Sequence, residues 1–202
     1  MYNTSSRWMI PCALCVPLVI ASSALPARDS EYAAVAKHHH AQQAPKVEQS
    51  PLVELLRKAT ARYRDINVAL SEGWVQATPC VSGPMLGAMG IHFTLPGRIG
   101  DGQLEADEPE LLIYEPIGNG KYRLVGVEYV VLKDEWEQSN PNGGAPVLEG
   151  HLLNFVGEPN RYGLPAFYEI HVWAWRDNPL GTFADFNTRV SCEKQPLADG
   201  TS

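Results

Sequence analysis

Apolar residues between Pro51 and Gly73 recur at intervals of three and four, the spacing of one face of an α-helix. The series is Leu52, Leu55, Leu56, Ala59, Tyr63, Ile66 and Leu70. Ser50 and Pro51 are typical of a helix start, and Gly73 is typical of a helix end. The pattern predicts one amphipathic helix whose apolar side packs on a sheet.

After Cys80 the pattern changes to short apolar runs separated by turn residues, which is typical of β-strands. Strands are predicted at 88–94, 110–116, 122–132 and 167–176, and loops at 95–108, 133–147 and 156–166. Asn119-Gly120 predicts a tight hairpin, because both residue types accept a positive φ. The predicted fold class is therefore α+β, an antiparallel sheet or half-barrel with one N-terminal amphipathic helix.

The hairpin turn also predicts a strand register. A two-residue turn at Asn119-Gly120 places Leu111 opposite Glu128 and Glu115 opposite Leu124, whereas a three-residue loop with a bulge would change these partners. Both faces of the hairpin are largely apolar, so the sheet is predicted to be covered on both sides. Glu128 would then be buried, where a carboxylate needs hydrogen bonds, a cation or a metal, or must stay protonated.

Polar residues in the middle of apolar strands are the candidate functional residues. His92, Glu128 and His171 lie in three separate predicted strands. Two histidines and one carboxylate that face one cavity are typical of zinc and non-haem iron centres. The sequence therefore predicts a site for a divalent ion (Zn, Fe or Cu), with ligand atoms within about 3–4 Å of one another.

A pocket is predicted around this site. Glu169, Trp173 and Trp175 share the face of strand 167–176 that carries His171, and they are predicted to line the pocket with Glu115. Glu115, Glu169 and His151 are alternative metal ligands. In a metal-dependent enzyme, Glu115 or Glu169 would be the general base.

Compact catalytic motifs are absent from the sequence. It contains no HExxH, no GxSxG and no phosphate-binding loop, and residues 51–192 contain no HxH metal motif. Each histidine and glutamate can equally be a hydrogen-bonded core residue. A metal-free pocket for a small ligand, and a structural or interaction module, therefore remain alternative functions. An interaction module would place His92 and His171 in separate environments.

The net charge limits the possible partners, and the length limits the number of domains. The chain has 202 residues and a net charge of −7. It therefore lacks the cationic surface that binds nucleic acid, and a small molecule or a metal ion is the predicted partner. The length suggests one domain with tails.

The first 27 residues have the parts of a secretory signal peptide. Arg7 precedes an apolar stretch, which is followed by the small residues of a cleavage site. Cleavage is predicted after Ala24 or Ala27. A membrane anchor is the rival interpretation, but Pro11 and Pro17 interrupt the stretch, and no other run reaches the length of a membrane span. The product is predicted to be soluble and periplasmic or extracellular.

The remaining boundaries follow from composition. Residues 28–50, which include the triplet His38-His39-His40, are predicted to be a flexible linker. Residues 51–192 are predicted to form a single globular domain, followed by a polar tail at 193–202.

Signal cleavage leaves two of the four cysteines, Cys80 and Cys192. In an exported chain, two cysteines predict a disulfide. A thiolate metal ligand is the alternative.

The last strand continues into a distinctive segment that ends at Cys192. Asp177-Asn178-Pro179 stops the strand. The segment then forms either a packed lid, or a pocket mouth lined by Asn178, Asp185 or Asn187.

Four stretches carry a resemblance to a group of secreted bacterial proteins that has no assigned activity. They are ATPCVSGPMLGAMGIHF (77–93), PELLIYEP (109–116), YRLVGVEYVV (122–131) and HVWAWRDNPLGTFADFN (171–187). The resemblance spans about residues 55–192. It implies one domain, export and pairing of Cys80 with Cys192, but no substrate. Phe186 and Thr188 depart from the Trp and the frequent Pro of that group, which affects the shape of the closing loop.

Overall fold

The computed structural model describes residues 50–195. The predicted signal peptide (1–27), nearly all of the linker (28–50) and most of the tail (193–202) lie outside the described residues. Within residues 50–195, none of the helices is long and apolar enough to cross a membrane.

The N-terminal helical segment is divided into three parts. They are α1 (Pro51–Thr60), a 3₁₀ turn (Ala61–Arg64) and α2 (Ile66–Ser71). The prediction of one continuous helix is wrong because Asp65 leaves the helical conformation and its side chain accepts the N–H of Asn67, which starts a new helix. Ser50 occupies the first cap position, but its side chain makes no capping hydrogen bond.

The end of α2 agrees with the prediction at Gly73. Its φ is +93°, a conformation that glycine adopts readily. The N–H groups of Gly73 and Trp74 donate to the carbonyls of Leu70 and Ala69, which closes the helix in a Schellman motif.

Nine strands and a third helix follow. They are β1 (Val75–Gln76), β2 (Val81–Gly83), β3 (Gly87–Thr94), β4 (Leu111–Gly118), β5 (Lys121–Leu132), α3 (Lys133–Ser139), β6 (Val147–Leu148), β7 (His151–Leu152), β8 (Asn154–Val156) and β9 (Phe167–Val172). The main sheet has the order β1-β3-β4-β5-β9-β8, with β2 also paired to β3, and all of these pairings are antiparallel. The sheet does not close, so the fold is α+β with an open antiparallel sheet, as predicted.

The β4–β5 hairpin has the predicted turn but only part of the predicted register. Asn119 and Gly120 have φ values of +54° and +66°, and Leu111 lies opposite Glu128. The pairing of Glu115 with Leu124 is wrong, because Ile117 is an extra residue in β4 and shifts Glu115 to Arg123. Val125, an extra residue in β5, then restores the predicted register at Ile113 and Leu111. Leu124 therefore turns to the helix side of the sheet and Val125 to the opposite side.

Both faces of the sheet are covered, as predicted. On one face, Leu112, Val127 and Ile170 pack with residues of the N-terminal helices in the largest apolar cluster. The other face carries two smaller clusters, one around Ile113, Val125 and Trp173 and one around Leu111, Val130 and Phe167. Alternation along β5 places Glu128 between these two smaller clusters.

Two local predictions fail after β5. Helix α3 lies in the predicted loop 133–147, directly after β5. The last strand ends at Val172, four residues before the predicted end, because Ala174 donates its N–H to the Val172 carbonyl within the same segment.

The predicted disulfide is confirmed. Cys80 and Cys192 are bonded, with their Cα atoms 5.6 Å apart. The bond joins the segment before β2 to the last described residues of the chain. It also excludes a thiolate metal ligand at either position.

Candidate metal centre

Strand pairing brings three polar residues to neighbouring positions on one face of the sheet. Glu128 in β5 lies directly opposite His171 in β9. His92 in β3 pairs with Ile113 of β4, which in turn pairs with Gly126 of β5. The three side chains share the face that is remote from the N-terminal helices. Strands far apart in the chain therefore supply a single cluster.

The ligand atoms of this cluster are close together. The Nε2 atom of His92 lies 3.3 Å from Glu128 Oε2 and 3.4 Å from His171 Nε2, and His171 Nε2 lies 3.8 Å from Glu128 Oε2. In a tetrahedral site with bonds near 2.1 Å, neighbouring ligand atoms are about 3.4 Å apart. These three atoms could hold a divalent ion. His92 and His171 therefore share one environment, in contrast to the separate environments that an interaction module would show.

Neighbouring polar groups bind the far side of each imidazole. His92 Nδ1 lies 2.9 Å from Thr78 Oγ1, and His171 Nδ1 lies 3.1 Å from Glu169 Oε2. Asn154 in turn donates to Glu169 Oε1 over 3.0 Å. Hydrogen bonds of this kind orient metal-binding histidines and leave the other ring nitrogen facing the ion. Both Nε2 atoms here face Glu128.

Burial and mutual charge separate the pKa values of the three groups. Burial, with a contribution from nearby His171, lowers the pKa of His92 to about 3. Burial raises the pKa of Glu128 to about 7, although the neighbouring His171 opposes this change. Burial also acts to lower the pKa of His171, but Glu128, Glu169 and Asp185 outweigh it and raise that pKa to about 9. His92 is therefore neutral, and the tautomer that donates from Nδ1 to Thr78 leaves the Nε2 lone pair available to an ion.

A second acidic group lies behind His171. Asp185 Oδ1 is 4.0 Å from His171 Nδ1, and with Glu169 these atoms form a second cluster of metal-ligand type. Burial, together with the nearby Glu169, raises the pKa of Asp185. The carboxylates of Glu169 and Asp185 therefore add negative charge behind the His92–Glu128–His171 cluster.

The segment after β9 combines the two predicted alternatives. The amide of Asn178 donates to the carbonyl of Phe186, and the amide of Asn187 donates to that of Asp177, so both side chains hold the segment itself together. Asp185, in contrast, approaches the cluster. The segment is therefore a packed cover that contributes one acid to the site.

A cavity of about 690 Å³ opens beside His92 and Glu128. The segment 77–82 lines one side of the cavity, and Leu111 and Val130 of the sheet also line it. The loop before β9 contributes residues 161, 162 and 164. His171 lies behind the two lining ligands. A cavity of this size accommodates a small organic molecule.

None of the four predicted pocket residues lines the cavity, but Glu169 and Trp173 contact the His92–Glu128–His171 cluster. Glu169 binds His171. The indole of Trp173 stacks on the His171 ring with a centroid distance of 6.4 Å and donates its N–H to the carbonyl of Ala184. Trp173 therefore supports the cluster from behind and does not line the cavity.

The prediction that Trp175 and Glu115 line the pocket is wrong. The indole N–H of Trp175 donates to Thr60 on the helix side, because strand alternation ends at Val172. Glu115 binds Arg123 and accepts the N–H of Ser191 at the hairpin end of β4, where the extra residue Ile117 places it opposite Arg123. His151, the alternative ligand, packs its ring against Phe183.

Sequence reasoning missed Thr78, Asn154 and the two loop residues Arg161 and Tyr162. Thr78 and Asn154 are single polar residues in short segments with no periodic pattern, so their contacts with β3 and β9 depend on tertiary structure. Arg161 and Tyr162 lie in a predicted loop, and the sequence carries no signal that the loop folds back over the sheet.

No protein-family model, no curated protein and no solved structure matches this chain. The resemblance to secreted bacterial proteins stays a prediction.

Proposed function

We propose that this chain is an exported protein that binds one divalent metal ion through His92, Glu128 and His171 and a small ligand in the adjoining cavity. The convergence of two Nε2 atoms and one carboxylate oxygen within 3.3–3.8 Å carries the proposal. Three protein ligands leave at least one coordination position for water or substrate, as in catalytic zinc sites. The cavity beside His92 and Glu128 is where such a substrate would enter.

The chemistry of the residues supports zinc or a similar ion. Imidazole and carboxylate together suit zinc, copper and iron. Buried charged groups cost free energy unless they are paired or bind a metal, and an ion at this place would neutralise the carboxylates clustered around His171. An ion held here would act as a Lewis acid on a bound ligand or lower the pKa of a bound water.

A metal-free pocket for a small ligand is the second candidate function. The apolar walls of the cavity favour it, and the cluster could then serve as hydrogen-bonding groups for that ligand. Export belongs to the proposal as well and rests on the sequence pattern of residues 1–27.

Elemental analysis of untagged, periplasmically expressed protein tests the proposal. We expect the wild type to contain one equivalent of metal and His171→Ala to lose it. A Glu169→Gln variant should bind metal about 10–100-fold more weakly, because it alters the group that orients His171. Mass spectrometry of the same samples identifies the cleavage site after Ala24 or Ala27.

Two controls make the result specific. His151→Ala removes a histidine that packs on Phe183 outside the cluster, and it should leave the metal content unchanged. Replacing His38, His39 and His40 together by alanine removes the weak ligands of the predicted linker. Equal, substoichiometric metal in wild type and His171→Ala, with both proteins folded by circular dichroism, would overturn the proposal.

A further inference from the structure

The loop between β8 and β9 holds itself in one conformation through Asn160. The amide of Asn160 donates to the carbonyls of Gly157 and Leu164 over 3.1 and 2.8 Å. Its oxygen accepts the N–H groups of Tyr162 and Leu164 over 3.1 and 3.3 Å. These four bonds bridge the loop from both sides. The residues after Asn160 are therefore presented to the cavity in a fixed arrangement.

Arg161 brings an unmatched positive charge to the cavity. It lines the cavity, is exposed, and makes no hydrogen bond or ion pair with any residue in 50–195. By contrast, the guanidinium of Arg98 binds Glu108 over 2.9 Å. Glu128 is the acid among the lining residues, and it faces the two histidines. The Arg161 guanidinium is thus available to an anion from solution.

Tyr162 adds a hydroxyl donor next to this charge. Within the described chain, the one hydrogen-bond partner of its hydroxyl is the sulfur of Met89 at 3.7 Å, and a thioether is a weak acceptor. The ring packs against Phe167 with a centroid distance of 6.0 Å, which holds the phenol in place. A stronger acceptor in the cavity can therefore displace the sulfur contact.

The wall next to these two donors is apolar. Leu111, Val130 and Phe167 form a buried cluster, and Leu164 packs against it. All four also line the cavity. This surface fits a hydrocarbon body, and its burial would contribute to binding. The cavity thus combines a cationic donor pair, an apolar wall and the polar cluster of His92 and Glu128.

We propose that the ligand of this cavity is a small organic carboxylate with an apolar body, whose carboxylate binds Arg161 and the Tyr162 hydroxyl. The planar guanidinium matches a carboxylate through two parallel hydrogen bonds. The apolar body packs on Leu111, Val130 and Phe167, and the far end of the ligand faces His92 and Glu128. The interaction of the far end of the ligand with His92 and Glu128 rests on the proposed metal-binding function. The contact of the carboxylate with Arg161 and Tyr162 does not depend on a bound metal.

Calorimetric titration with phenylacetate and 3-phenylpropionate tests the proposal, with phenylacetamide as the neutral analogue of the first. We expect at least one acid to bind the wild type at millimolar concentration or below. Arg161→Ala should weaken its binding about 10–100-fold, because a charge-assisted hydrogen bond to the carboxylate is lost. Phenylacetamide should bind wild type and Arg161→Ala equally.

Matched variants separate this contact from general effects. Arg64→Ala removes an arginine that lies over Trp175 on the helix side, and it should leave acid binding unchanged. Tyr162→Phe keeps the ring contact with Phe167 and should weaken binding about threefold to tenfold through loss of the hydroxyl. Binding of neither acid, or equal binding of an acid by wild type and Arg161→Ala, would overturn the proposal.

The same titrations on metal-free and zinc-loaded protein distinguish the two proposals. If Arg161→Ala weakens binding of the acid in metal-free protein as well, the carboxylate contact is supported even when the protein binds no metal. Failure of metal binding alone would instead appear as equal metal content in wild type and His171→Ala.

Discussion

At the scale of single residues, the buried side chain of Glu110 accepts a backbone hydrogen bond from the neighbouring part of the sheet. It precedes β4, is 3% exposed, and its Oε2 accepts the backbone N–H of Val130 over 3.1 Å. Burial raises its pKa from 4.5 to about 8, although the hydrogen bond from Val130 opposes the change. Between these two values the folded protein therefore holds this proton more tightly than the unfolded chain does.

The free energy of unfolding should depend on pH through the protonation of Glu110. The protonated side chain of Glu110 contributes to the free energy of unfolding. This contribution is fully present below the ordinary pKa of 4.5 and is lost as the pH rises towards about 8. Each unit by which the folded pKa exceeds the unfolded one corresponds to about 1.4 kcal/mol. We expect Glu110→Gln to flatten the fall in the free energy of unfolding over this range, measured by urea denaturation at several pH values.

Glu108→Gln is the control for this prediction. Glu108 is two residues away, more exposed and bonded to Arg98, so its replacement should preserve the wild-type slope. Parallel curves for wild type and Glu110→Gln would show that the proton on Glu110 does not differ between the folded and unfolded states.

The ligand residues were predictable from sequence, whereas the residues that orient them were not. His92, Glu128 and His171 are polar interruptions of apolar strands, and burial there requires a partner. Thr78 and Asn154 interrupt no pattern. Their roles follow from where β3 and β9 place the two imidazoles, which no local pattern encodes.

At the scale of elements, the start of β3 is tied to the last described segment of the chain. The N–H of Ala88 donates to the carbonyl of Asn187, and the N–H of Asn187 donates back to the carbonyl of Ala88. Gly87, with a φ of +79°, makes this approach feasible. A Cβ atom at Gly87 would lie 2.1 Å from the Asn187 carbonyl oxygen, too close for any side chain.

Gly87→Ala should therefore be strongly destabilising. We expect it to lower the free energy of unfolding by about 3 kcal/mol or more, from the strained φ and the backbone clash together. Gly97→Ala is the matched control, because Gly97 has a φ of +100° but no atom near its would-be Cβ. That variant should lose only about 1 kcal/mol. Similar urea midpoints for the two variants would contradict a specific clash at Gly87.

Element types were easier to predict than their boundaries. The periodic pattern identified the helical segment and the central strands, and Asn119-Gly120 identified the hairpin turn. The break at Asp65 depends on a local side-chain hydrogen bond that overrides helix propensity. The bulge at Ile117 moves Glu115 to a different partner, and no sequence pattern distinguished it from a regular pairing.

At the scale of the whole molecule, the Cys80–Cys192 disulfide closes the fold. It links residues 112 positions apart. Cys80 also lines the cavity, and Cys192 packs against the cluster of Ile113, Val125 and Trp173. The bond therefore connects the wall of the cavity to the segment that covers the candidate metal centre.

Removal of this bond should lower stability substantially. Chain entropy for a loop of this length predicts a loss of about 4–5 kcal/mol, and strain or residual structure reduces such values in practice. We expect the melting temperature of the wild type to fall in reductant, and that of a Cys80→Ser/Cys192→Ser double variant to be low and unaffected by reductant. An unchanged melting temperature for wild type with both thiols shown to be free would refute a stabilising role.

The convergence of His92, Glu128 and His171 on one face of the sheet gives the molecule a built-in test of assembly. The three residues come from β3, β5 and β9, and a slip of one residue at any pairing turns a ligand to the opposite face of the sheet. A chain with a misaligned sheet would keep its strand content but lose the cluster of ligand atoms. If the proposed centre binds zinc, zinc stoichiometry would measure the correctly assembled fraction of a refolded or engineered preparation, which circular dichroism cannot resolve.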